Sequence, residues 1–244
     1  MPDTGLKDFE LPRHVHACRT SDGVIFLDTR NDRYFGLGGK DADAIASVVR
    51  DWPEPNDACI GNTLTSPGEL QPLAQVLLER GLLIRSSPGN AHHAKTVVTP
   101  LKMTPPGLTT DKCRAARPLD VANFVVACSR AAWVLKRKSL ESIELEMTSV
   151  RAGNHGIKPG DSCTAAELAQ VFRRLRRLFF SEKNRCLFNA LSLMYFLRRY
   201  GHFPLWVIGV NTAPFSAHSW VQDGPIALDG DPAVICHFVP ILVA

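Results

Sequence analysis

NRCLFNALSLMYFLRRYG (residues 184–201) and FSAHSWVQDGPIALDGD (residues 215–231) decide how this chain is read. In the first, Leu187, Ala190, Leu191, Leu193, Met194 and Leu197 make a wide apolar helical stripe. Arg198 and Arg199 suit the negative end of that helix, and Gly201 is a natural stop. A cysteine, Cys186, opens it. The second stretch has strand alternation around His218 and a turn at Asp223–Gly224–Pro225, which predicts a partner strand carrying Asp229.

Those three residue types in that order suit nucleophilic catalysis. A helix start offers unpaired amides and partial positive charge, which favour a thiolate. A histidine on a nearby strand can take the thiol proton and return it to a leaving amine. A third polar group then fixes the imidazole tautomer. Asp223 reads as a turn former, and Asp231, just before Pro232, lies past the strand end; it remains a competitor to Asp229 for the third role. A cysteine at a helix start also serves simply as a small buried hydrophobe, and spacing alone does not choose between the two. Asn184 and the amide of Cys186 are placed, by position only, to donate to an oxyanion.

Around this block the second half of the chain reads as helices followed by strands. LDVANFVVACSRAAWVLKR (119–137) is a long apolar helix, and TAAELAQVFRRLRRLFF (164–180) carries a capping-box pattern at Thr164 and Glu167. Its Leu168, Val171, Phe172, Leu175, Leu178 and Phe179 form one stripe, and Arg173, Arg174, Arg176 and Arg177 read as a solvated face. LWVIGV, AHSWVQ, PIALD and HFVPILV then read as an antiparallel sheet, so the half is α+β. Cys236 and His237, as strand neighbours, would point to opposite faces.

The first 86 residues read as a separate small unit. HVHACRT, GVIFLDT and RYFGLG predict a three-stranded meander, with SDG and RND as turns. KDADAIASVVRDW predicts a helix through Ala42, Ile45, Ala46 and Val49. ELQPLAQVLLERGLLIR predicts another, with Leu73, Val76 and Leu77 apolar, Gly81 as its stop and a short strand after it. Residues 87–118 are rich in Pro, Gly, Ser and Thr and read as a linker, with TVVTPL the one short strand candidate. The expected units are therefore 1–86 and 119–244.

Composition narrows the classes. The chain has 244 residues, 45% hydrophobic and 21% charged, with a net charge of +4, which is globular and too mildly basic to suggest a nucleic-acid protein. Seven scattered cysteines with no C-x-x-C disfavour a zinc site. A charged N-terminus without an apolar core, and no expected membrane-spanning run, point to free thiols in a reducing cytoplasm. No Walker motif is present, Ser216 and Ser219 lie in no nucleophile elbow, and His92–His93 falls in the linker.

At NRCLFNALSLMYFLRRYGHFPLWVIGVNTAPFSAHSWVQDG the sequence resembles the transglutaminase-like domain of lasso-peptide B proteins, which are leader peptidases. The shared features are Cys186 followed by L-x-x-A, Gly209–Val210 in the next strand, and P-F-x-A-H-x-W-V around His218. GVIFLDTRNDRYFGLG resembles a PqqD-like leader-recognition domain, here fused upstream. The resemblance implies a small winged-helix-like N-terminal domain and a C-terminal transglutaminase-like, papain-like domain. It implies Cys186, His218 and Asp229 as the catalytic residues of a cysteine peptidase that cuts a lasso precursor at the leader–core junction. The leader would add as a strand along Arg33, Tyr34, Phe35, Gly36 and Leu37, against Leu73, Val76 and Leu77. The implied partner is an asparagine-synthetase-like cyclase, and ATP enters only through it; no cofactor or metal is expected on this chain. Two other readings share these residues: a non-catalytic leader-binding scaffold, and an acyl transferase in which an amine replaces water at the thioester.

Overall fold

A computed structural model describes residues 8–50, 52–53, 67–86, 115–153, 163–179 and 185–244. The loop before residue 67, the linker with TVVTPL and His92–His93, Cys59, Cys113 and Asn184 lie outside the described residues. Two compact units result, Met1–Lys95 with Val210–Ser216, and Thr96–Gly209 with Ala217–Ala244.

In the first unit β2 (Val15–Thr20), β3 (Gly23–Asp28) and β4 (Arg33–Gly38) form the expected antiparallel meander, in the order β2-β3-β4. The turns fix its register. Gly23 has φ +146, and a Cβ there would lie 2.0 Å from the Leu37 carbonyl oxygen, so only glycine fits. At the other end the Asp28 carboxylate accepts from the amides of Arg30 (3.0 Å) and Asn31 (3.1 Å) and from the Asn31 side chain (2.7 Å). Burial pushes its pKa up, but these bonds win and hold it below the usual value. Val24 and Phe26 of β3 pack with Ala42, Ile45, Trp52, Ala74, Leu77 and Leu82 into one core.

Two features there differ from expectation. Helix α1 spans only Gly39–Ala46, because Val49 leaves it to bridge Phe9. Phe9–Glu10 is a short strand, β1, pairing β5 (Ile84–Arg85) after helix α2 (Pro67–Glu79) and its stop at Gly81. That pairing joins residues over seventy positions apart, which no local pattern announces.

In the second unit the helices α3 (Pro118–Arg137), α4 (Leu140–Gly153), α5 (Ala165–Phe179) and α6 (Cys186–Arg198) come first. The strands follow: β6 (Leu205–Thr212), β7 (Phe215–Asp223), β8 (Ile226–Ala227) and, after the short helix α7 (Pro232–Ile235), β9 (Val239–Val243). The sheet order is β8-β7-β6-β9. The mixed helix-and-sheet class is thus as expected.

Helix α6 is buried without interruption from Asn189 to Leu197, and it packs on α3 and α5. Phe124, Phe172 and Phe196 carry that packing, with ring centroids 5.2 and 5.4 Å apart. The capping box of α5 forms as expected, with the Thr164 amide donating to Glu167 at 2.7 Å and the Glu167 amide to the Thr164 hydroxyl at 3.2 Å. Its apolar stripe ends at Leu175, however. Leu178 is 77% and Phe179 55% exposed, so those two are not core.

Helix α4 is an element the sequence reading lacked. It buries Leu140, Ile143 and Met147 and presents Glu146 to three cations. Arg130 of α3 and Lys138 each approach Glu146 at 2.7 Å, and Arg198 of α6 at 3.6 Å. Burial raises the pKa of this carboxyl, and the bonds from Lys138 and Arg130 bring it below its ordinary value.

Two further corrections bear on function. By length and composition α3 can cross a membrane, with mean hydropathy 1.2 over its apolar window, although no such segment was expected. In this fold its inner face, including Phe124, Ala127, Ala131 and Val134, is buried. Cys236 and His237 end α7 rather than lying in a strand.

Because Glu146 joins three helices through charge-assisted bonds, Glu146→Ala is expected to cost about 1–3 kcal/mol, read as a lower urea midpoint by far-UV circular dichroism.

Candidate active site

Cys186 is the first residue of α6. Arg185 precedes it as the N-cap and supplies no side-chain cap, and the first intrahelical bond runs from the Asn189 amide to the Arg185 carbonyl at 2.9 Å. The amides of residues 186–188 therefore have no acceptor within the helix, and the half-buried thiol starts among them. An open groove of about 450 Å³ lies beside this helix start, lined by Cys128, Ser129, Ala132, Arg185 and Phe188. The cysteine that lines it, Cys128, is poorly suited to be a nucleophile. Burial pushes the Cys128 thiol up to about 11, against a hydrogen bond with Ser192.

His218 is half-buried on β7. Residues two apart share a strand face, and the imidazole is accordingly nearly parallel to Trp220, at 17° with centroids 6.3 Å apart. Phe238 lies 5.3 Å away on another side. Burial lowers the His218 pKa, which keeps the ring neutral and able to accept a proton at pH 7. The Trp220 indole donates to Gln222 at 3.1 Å, and Gln222 donates to the Gly224 carbonyl at 2.7 Å. Gly209 makes room for this stack. A Cβ there would lie 2.8 Å from two Trp220 ring atoms and 3.0 Å from Phe238.

Asp229 corrects the expected hairpin. Strand β8 ends at Ala227, paired with Gln222, so Asp229 stands beyond the ladder rather than on it. The Leu228 amide still donates to the Val221 carbonyl at 2.8 Å, and the Asp229 carboxylate accepts the Val221 amide at 2.6 Å. The side chain thus takes the place of the next backbone acceptor. At the following residue a Cβ would lie 3.6 Å from His218 Nε2 and 3.1 Å from Ile235, so Gly230 (φ +77) leaves space between the chain and the imidazole. Asp229 is buried, and burial pushes its pKa up to about 6, against the Val221 amide and the charges of Arg176 and Arg173. Asp231, by contrast, is exposed and caps α7, accepting the Ala233 amide at 2.9 Å. Asp223 is exposed at the end of β7.

The structure therefore sets Cys186 at the head of α6, His218 on β7 and Asp229 just past the end of β8, all in the same unit. Sequence reasoning missed Arg173 and Arg176, taken for solvated residues. Both are half-buried, and their charges work against the rise of the Asp229 pKa. Among the described residues no three metal-ligating side chains converge.

The other candidate residues lie in the first unit. Arg33, Tyr34, Phe35, Gly36 and Leu37 occupy β4, an outer strand of its sheet. Arg33 and Gly36 are exposed, while Phe35 and Leu37 pack on the core. On α2, Leu77 is a core residue, Leu73 packs partly against it, and Val76 faces outward at 44% exposure.

The family model of the transglutaminase-like superfamily matches residues 122–243, half of the chain, from α3 through β9. The chain belongs to the transglutaminase-like superfamily, a cysteine protease-like or acyltransferase-like class. No curated protein and no solved structure matches it.

The folded Asp229 carboxyl holds its proton to about 6, against an ordinary 3.8, so wild-type stability falls as pH rises through that window. Asp229→Asn removes the cost, and its stability advantage over wild type is expected to grow from pH 4 to pH 7, to on the order of 3 kcal/mol, in urea melts across pH. Gly209→Ala must push Trp220 aside. It should cost roughly 1–3 kcal/mol and shift the His218 ring resonances in NMR spectra.

Proposed function

We propose that this chain is a cysteine peptidase that removes the leader of a ribosomally made lasso precursor peptide at the leader–core junction. The observation that carries the chemistry is a half-buried thiol in the first turn of α6, in the same unit as a neutral, half-buried imidazole and a buried carboxylate. His218 takes the Cys186 proton, and the thiolate adds to the scissile carbonyl. The amides at the head of α6 are suited to donate hydrogen bonds to the oxyanion. The C–N bond breaks as His218 returns the proton to the leaving amine, and water then hydrolyses the thioester. Asp229 holds the imidazole.

The position of β4 at the edge of its sheet supports leader binding by strand addition, with Arg33–Leu37 as the template. The freed core amine would pass to an asparagine-synthetase-like cyclase, where ATP is used. The reaction belongs in the cytoplasm, where the precursor is made.

The test is mass spectrometry of a lasso precursor encoded beside this chain, incubated with wild-type protein, Cys186→Ala and His218→Ala, with and without the cyclase and ATP. A leader-sized fragment is expected from wild type alone, with Cys186→Ala inactive and His218→Ala slowed at least 10³-fold. Cleavage that survives Cys186→Ala rules the mechanism out. Intact but bound precursor in every tube would instead make the chain a leader-binding scaffold. An amide-linked product in place of the free acid would make it an acyl transferase.

A further inference from the structure

We infer that Phe215, at the tip of the β6–β7 hairpin, works with Tyr34 of β4 as a specificity-determining pair that grips an apolar side chain of the peptide added along β4. The inference rests on the reading of β4 as the strand that receives the leader. It adds a residue from far along the chain, and the chemistry of what that residue takes.

The hairpin tip belongs to the first unit, which gathers Val210–Ser216 with Met1–Lys95. Its turn is Ala213–Pro214, between β6 and β7, and the Asn211 side-chain carbonyl accepts the Ala213 amide at 3.3 Å. Just past that turn the Phe215 ring meets the Tyr34 ring edge to face, with centroids 5.4 Å apart and planes at 62°. The contact positions Phe215 without burying it, and the residue is 51% exposed. Ala213, Pro214 and Ala217 are exposed beside it in the chain. Exposed apolar residues taken singly need no explanation, whereas a run of them beside a sheet edge marks a surface suited to a partner.

The edge itself selects the partner. β4 is the last strand of its sheet, so a further strand can add along it. Side chains alternate along β4: Phe35 and Leu37 pack on the core, which puts Tyr34, Gly36 and Gly38 on the other face. Gly36 and Gly38 are exposed, and a Cβ on Gly38 would meet nothing within 4 Å. That face thus runs as a bare track from the Tyr34–Phe215 pair towards Gly38. An extended peptide bonded to β4 turns every second side chain to the same face. An aliphatic or aromatic group among them would cover the open surface of Phe215. A carboxylate there would give up hydration to the two rings.

The experiment uses the full chain and a fluorescein-labelled synthetic leader of the precursor encoded beside it, with Kd read by anisotropy. Phe215→Ala is expected to weaken binding about tenfold, and Phe215→Tyr to keep it within about twofold of wild type. An alanine scan of the leader against wild type and Phe215→Ala then forms a set of double-mutant cycles. One apolar leader position should lose affinity for wild type and lose little more for Phe215→Ala; additive losses at every position overturn the inference. Hydrogen exchange of the wild type, with and without leader, needs no variant and decides the matter if Phe215→Ala does not fold. Residues 33–38 and 211–216 should both gain protection, and protection confined to 33–38 overturns the inference. So does a tip protected only as protein concentration rises, which would assign it to a second copy of the chain. An unchanged Kd in Phe215→Ala leaves leader binding by β4 standing and removes Phe215 from it. A wild type that binds no leader removes that reading and the inference together.

Discussion

Nine successive residues of α6, Asn189–Leu197, are shielded from solvent, and the rest of the second unit is organised by that burial. A helix apolar on all sides must be wrapped. Helices α3 and α5 supply the wrapping through Phe124 and Phe172, and Glu146 of α4 bonds to the helices on either side. The functional consequence lies at the less covered N-terminal end. A helix so enclosed cannot turn about its axis or slide, so Cys186 is held in one place with the first-turn amides around it.

The candidate site then joins two kinds of order. The thiol is placed by helix packing. The imidazole and carboxylate are placed by the end of a sheet, where Asp229 substitutes for a backbone acceptor and His218 lies along Trp220. The second arrangement opposes stability, because a buried carboxyl of raised pKa favours its neutral form while the proposed chemistry wants it charged. Such a conflict between folding and local charge is commoner at functional sites than in structural cores.

Much of this was legible in the chain itself, and the exceptions share a cause. The meander could be read because Gly23, Asp28 and Asn31 write their turns locally, and α5 could be read because Thr164 and Glu167 cap it within one turn. Cys186 and His218 could be singled out because a helix start and a strand can each be read from a dozen residues. Helix α4 went unread although Leu140, Ile143 and Met147 recur at helical spacing, because its polar residues outnumber them. The β1–β5 pairing and the departure of Asp229 from its strand depend on contacts that no local pattern announces.

The stack on β7 has one more implication. His218 lies against Trp220, Trp220 donates to Gln222, and Gln222 donates to the Gly224 carbonyl in the hairpin turn. Surface turns ordinarily absorb insertions and drift freely. This one is the far anchor of a rigid rod whose near end is the imidazole. A residue added between Asp223 and Pro225 would displace the Gln222 anchor and be felt at the histidine, so a loop that looks peripheral is one of the worst places on this protein to attach a tag.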